Sequence, residues 1–117
     1  MKKQILGIML AATVCAMPVA AEECGEPPYD HPVVPNGETS NADEIRNARN
    51  AVVAYSAEVD EYLACMDTRG AKLLPFLTKE QQVRWDEDLA DLHDVRRELQ
   101  NQMNLAIRAY RRSQNNN

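Results

Sequence analysis

Apolar residues recur along the middle of the chain at Ile45, Ala48, Val52, Tyr55, Val59, Tyr62 and Met66. The intervals alternate between three and four, which places these side chains in a seam along one face of an α-helix. The other faces carry Glu44, Arg46, Asn47, Arg49, Asn50, Glu58, Asp60 and Glu61. Ser40-Asn41-Ala42-Asp43 has the form of a capping box, with Ser40 as N-cap and Asp43 in place of the usual Glu. Gly70 offers a stop signal at the far end. The pattern predicts a first helix over 41–68, ~42 Å long at 1.5 Å per residue.

A second stripe follows at Trp85, Leu89, Leu92, Leu99, Met103, Ala106 and Tyr110, with Val95 at its edge. Thr78-Lys79-Glu80-Gln81 is another capping box, and no proline or glycine interrupts 79–112. Glu80, Asp86, Glu87, Asp88, Asp91 and Asp94 load its first half, and Arg108, Arg111 and Arg112 its end. Both distributions suit the helix dipole. A second helix is expected over 79–112, with 113–117 a disordered polar tail. The short connection between two long helices favours an antiparallel hairpin.

Ahead of the helices, Pro27, Pro28, Pro32 and Pro35 exclude helix from 22–40 and favour extended structure. Pro35-Asn36-Gly37 supplies a turn into the first helix. The fold class expected is therefore all-α: an antiparallel two-helix hairpin with an N-terminal Pro-rich extended strap. Two helices alone bury one stripe each. The strap would add a third layer, with Val33 and Val34 against the hairpin.

Lys2 and Lys3, an apolar run from Ile5 to Met17, and Pro18-Val19-Ala20-Ala21 follow the order of a secretory signal peptide. The apolar run is too short to span a bilayer. We expect 1–21 to be removed after Ala21, leaving one small periplasmic or secreted domain over 22–117, with no membrane attachment. Cys15 follows Val14 and Cys24 follows Glu23, so neither has the small preceding residue of a lipid anchor. Of the 13 basic residues, Lys2 and Lys3 fall in the leader, so 11 face 18 acidic ones for a net charge of −7. That balance disfavours nucleic acid and anionic lipid as partners.

Cys24 and Cys65 remain after cleavage, and an isolated pair in an oxidising compartment is expected to form a disulfide. Cys65 lies ~36–38 Å from the start of its helix. The strap from Cys24 to Ser40 can span up to ~50 Å, so it can double back and be pinned there. Two cysteines without suitably placed histidines make a poor zinc site.

Candidate chemistry is sparse. His93 has Leu89, Ala90, Arg96 and Arg97 as its helical neighbours, none of them a carboxylate, and His31 lies beside Asp30 in the strap. Both read as surface or boundary residues, and no metal or other cofactor is expected. Glu87, Asp91, Asp94 and Glu98 share one face of the second helix, which is either a dock for a basic partner or cation or simply a solvated face. A straight helix face cannot supply the oxygen cage a hard cation needs. No serine or cysteine has a recognisable base partner, and no glycine-rich phosphate loop exists, so an enzyme is not expected. Leu73-Leu74-Pro75-Phe76-Leu77 puts five apolar residues in the connection. Leu73, Leu74 and Phe76 can plug the open end of the hairpin against Met66 and Trp85, or form a partner-binding patch.

Cys24, the prolines, Gly37, Tyr62-Leu63-Ala64-Cys65 and Met103-Asn104-Leu105-Ala106-Ile107 follow one another in an order that resembles small exported helical proteins of unknown function from Gram-negative bacteria. That resemblance implies the architecture and compartment only. Leu77-Thr78-Lys79-Glu80-Gln81 is similar to the Leu-Thr-x-x-Gln motif of Spy-like periplasmic chaperones. Those are helical hairpins that dimerise and cradle unfolded clients, and they usually carry the motif twice, whereas this chain has it once. The residues together predict an exported, non-catalytic structural or protein-interaction module, with a Spy-like chaperone as the alternative. Val52, Val53, Leu105 and Ile107 broaden the apolar face beyond a two-helix seam. A partner protein or a second copy is therefore expected on the uncovered part.

Overall fold

The structure, a computed structural model, describes residues 24–117. The expected signal peptide and the first two strap residues lie outside the described residues. Among those described, helix α1 spans Ala42–Leu73, a 3-10 turn spans Leu74–Phe76, and helix α2 spans Lys79–Asn115. Arg96 pairs with Asp60 and Gln100 with Ser56, so positions later in α2 meet positions earlier in α1. The two helices therefore form an antiparallel hairpin.

Its core is built from Ile45, Val52, Tyr55, Val59 and Leu63 of α1 against Leu92, Leu99, Met103 and Ala106 of α2. Val59 and Leu92 are wholly inaccessible and mark its centre. Most of these are the seam positions read from the spacing. Leu63 is an addition, one residue beyond Tyr62, because α1 presents an arc to the core rather than a single line.

Three ends differ from expectation, each for a local reason. The N-cap of α1 is Asn41, not Ser40: Asn41 Oδ1 accepts from the Glu44 amide at 2.8 Å, and Glu44 Oε2 accepts from the Asn41 amide at 2.9 Å. The Ser40 hydroxyl is engaged elsewhere, donating to the Asn36 carbonyl at 2.6 Å. The Thr78–Gln81 capping box of α2 forms as expected. Gly70 does not stop α1. It is buried within the helix, and a Cβ there would lie 3.4 Å from both Leu74 Cδ1 and Trp85 Cζ2. It forms no left-handed cap, and a Cβ there would make only ordinary van der Waals contacts with Leu74 and Trp85. At the other end, α2 runs on to Asn115, into residues expected to fray. Ser113 Oγ donates to the Glu38 carbonyl at 3.2 Å, which ties that last turn to the N-terminal segment.

Segment 24–41 holds to the hairpin at several points. Cys24 and Cys65 are bonded, with Cα atoms 5.6 Å apart. The Tyr29 hydroxyl donates to the Asp88 carbonyl at 3.5 Å, and the His31 ring meets Tyr55 edge-on at 6.1 Å between centroids. Gly37 is buried directly against the Ala106 carbonyl, where no Cβ would fit. Asn36 organises the turn: its carbonyl accepts from the Thr39 amide at 3.3 Å, and its side chain accepts from the Glu38 amide at 2.9 Å. Val34 packs on the core, but Val33 is 87% exposed. Only one of the two valines can face the hairpin, because successive residues of a non-helical segment point to different sides.

Candidate functional site

Segment 24–41 reaches α2 at Asp88, Ala106, Ala109 and Ser113. None of those residues lines the groove that runs between the helices along Val52, Val53, Ser56 and Ala57 of α1 and Gln100, Met103 and Ile107 of α2. The groove measures about 540 Å³. Its floor is the core itself, through Val52 and Met103, and Val53 on its wall is 59% exposed. Arg49 stands at one end and Asp60 at the other, ~16 Å apart along α1 at 1.5 Å per residue. Arg49 makes no ion pair among the described residues. Asp60 is bonded to Arg96, yet 70% of its side chain remains exposed.

The charges continue this polarity. Arg111 lies one turn beyond Ile107 on the groove side of α2, and Asp86 lies five turns before Asn104 on the same side. Arg49 and Arg111 make the free end of the hairpin basic along this face, while at the other end the Asp60 charge is met by Arg96 of the same chain. The groove presents hydroxyl, amide and aliphatic groups, with Arg49 at one end and Asp60 at the other.

The disulfide residues Cys24 and Cys65 meet, as described. Of the turn residues, Leu74 and Leu77 are half-buried, Leu74 lying over Gly70 and beside Trp85. Phe76 is 86% exposed and Leu73 also reaches solvent, so the plug expected of Leu73 and Phe76 is not made. The 3-10 turn alternates its three residues around a tight axis and turns Phe76 outward. The Gln82 amide holds this turn, donating to the Leu74 carbonyl at 2.9 Å and the Leu77 carbonyl at 3.3 Å.

Glu87, Asp91, Asp94 and Glu98 are all exposed. Asp94 accepts from Arg97 at 3.1 Å and Glu98 from the Gln102 amide at 3.3 Å. Exposed pairs of this kind contribute little, and among the described residues no three His, Cys, Asp or Glu side chains are grouped as a metal site. His93 Nδ1 lies 3.1 Å from the Arg96 guanidinium, which can only donate to it.

A second cavity, about 270 Å³, lies under the N-terminal segment between Pro27 and Tyr29 on one side and Tyr62, Met66, Trp85 and Asp88 on the other. Sequence reasoning did not find it. The signal available was Tyr62, one helical turn before Cys65, which the disulfide places beside whatever follows Cys24. Burial pushes the Tyr62 phenol above its usual range; the neighbouring Tyr29 and Asp88 add to this and Arg69 opposes it. Burial likewise raises Tyr55, with Tyr29 and Glu58 adding and Arg96 opposing. The Tyr55 hydroxyl is buried without a hydrogen-bond partner among the described residues.

No family model matches the chain, and neither a curated protein nor a solved structure matches it significantly. Among the described residues, no helix is long and apolar enough to cross a membrane.

Proposed function

We propose that the protein is an exported, non-catalytic interaction module of the cell envelope. In this reading the N-terminal segment is a Pro-rich extended strap that closes one side of the hairpin, and a second copy closes the other. The observation that carries it is the groove itself: an apolar floor continuous with the core, with Val53 raised and exposed beside it.

The charge pattern selects the partner. A two-fold axis across the middle of the groove brings the Arg49 end of one copy over the Asp60 end of the other. Two hairpins arranged antiparallel then form a four-helix bundle, the usual solution for helices with a broad apolar face. A parallel arrangement would set like charges together at both ends.

Sedimentation equilibrium of the oxidised 22–117 chain at micromolar concentration tests this. The expected mass is that of two protomers, falling to one in Val53→Glu and, at low salt, in Arg49→Glu, with high salt relieving the second. A single-protomer mass at every concentration would refute the pairing. A chaperone would instead suppress aggregation of unrelated unfolded proteins, which the same sample can be assayed for.

A further inference from the structure

The cavity beneath the strap has an unusual lining. This chain has one tryptophan, four tyrosines and one phenylalanine, and Trp85, Tyr29 and Tyr62 all border the same 270 Å³ space. Pro27 and Met66 fill the gaps, and the only ionisable group other than the two phenols is Asp88. No basic side chain lines it; Arg69, which the Tyr62 phenol feels, stands outside. The space is far larger than the about 15 Å³ that a single water needs.

We propose that this cavity is an aromatic cage for a quaternary ammonium group. A trimethylammonium ion spreads its positive charge over apolar methyls and has no N–H to donate. It is recognised by the electron-rich faces of aromatic rings, by dispersion against apolar groups, and by a nearby carboxylate. Those are the three kinds of group present here. An anion would meet Asp88, and a polyol would find few polar partners. The site is assembled by the fold: Tyr62 sits one turn from Cys65, and Pro27 sits three residues after Cys24, so the disulfide brings the strap wall over the helix wall. The Tyr29 hydroxyl bond to the Asp88 carbonyl holds that wall in place.

Trp85 is the single tryptophan, so its fluorescence reports the site directly. Choline chloride is titrated into the oxidised 22–117 chain at constant ionic strength. The neutral isostere 3,3-dimethyl-1-butanol is titrated in parallel. The expected result is a saturable change in Trp85 emission with choline and at least a tenfold weaker response to the isostere. Tyr29→Ala should raise the half-saturating concentration about tenfold, and Asp88→Asn should raise it several-fold. Both residues are exposed, so neither change should unfold the hairpin, which circular dichroism verifies. A parallel arm with phosphatidylcholine vesicles separates the sources: response to choline alone assigns a free solute, and response to both assigns a lipid headgroup. No saturable response to either, equal response to the isostere, or unchanged affinity in both variants would overturn the proposal.

Discussion

Gly37→Ala asks how tightly the strap is seated on α2. An alanine Cβ at this position would overlap the Ala106 carbonyl oxygen and come within 3.0 Å of the Ala109 Cβ. Ala106 lies in the interior of α2, where its carbonyl is part of the helix ladder and cannot swing aside. Gly37 itself is not in the left-handed region, since the one glycine with positive φ among the described residues is Gly25. The cost is therefore steric, and overpacking of this kind typically takes about 1–3 kcal/mol. Against it stands a gain of about 0.4–1 kcal/mol from restricting the unfolded chain. The net expectation is a loss of about 1–2 kcal/mol. Gly70→Ala is the internal control. Its Cβ would make contacts at 3.4 Å with Leu74 and Trp85, and a mid-helix Gly-to-Ala change is favourable by about 0.8–1 kcal/mol. That variant should be as stable as wild type or slightly more so. Urea unfolding followed by circular dichroism, with the disulfide intact, measures both. If Gly37→Ala unfolds at the wild-type midpoint, the strap is not packed on Ala106 and the reasoning fails.

The Cys24–Cys65 bond closes a loop with a sequence separation of 41, so Cys24→Ser/Cys65→Ser should lose about 2–4 kcal/mol in the same urea assay. A loss below about 1 kcal/mol would show that the folded strap holds without its pin. Tyr55→Phe removes a buried hydroxyl that has no partner among the described residues and should raise stability by about 1 kcal/mol; a loss of similar size would reveal a hydrogen bond to that hydroxyl. Tyr55 and Tyr62 have raised phenol pKa values in the folded state. Their contribution is therefore fully present below the unfolded value of about 10 and is lost as pH rises through the folded values. Ultraviolet titration should show two of the four tyrosines ionising late, with unfolding in the same range; a single transition for all at the ordinary value would contradict it.

The helices and most of the core were legible because an apolar spacing of three and four survives any choice of tertiary partner. The details that escaped were those where one residue had two physically valid uses. Ser40 can cap a helix or serve a turn, and Asn36 claimed it, moving the cap to Asn41. Gly70 can end a helix or be carried through one, and here α1 runs past it to Leu73. The apolar turn read as a plug because nothing local tells Leu74 from Phe76; the 3-10 geometry does. The aromatic cavity was hidden for a different reason. Tyr29 and Trp85 are far apart in the chain, and only the register of the strap along the hairpin brings them together, which no local pattern encodes. The groove was anticipated in kind from Val52 and Val53, but its position opposite the strap depended on which side the strap took.

The antiparallel pairing is tested most directly by where two copies can be linked. The two-fold axis implied by Arg49 and Asp60 passes near Ala54 and Tyr55, which puts the two Val53 positions within ~5 Å of each other along the axis and the two Phe76 positions ~65 Å apart, at 1.5 Å per residue. Val53→Cys and Phe76→Cys are each treated with a short bismaleimide, with the native disulfide left oxidised. Phe76 is the more exposed of the two, at 86% against 59%, so reactivity alone would favour linking through the turn. The antiparallel dimer predicts the reverse: covalent dimer from Val53→Cys and none from Phe76→Cys. Linking through Phe76→Cys, or through neither, would contradict it.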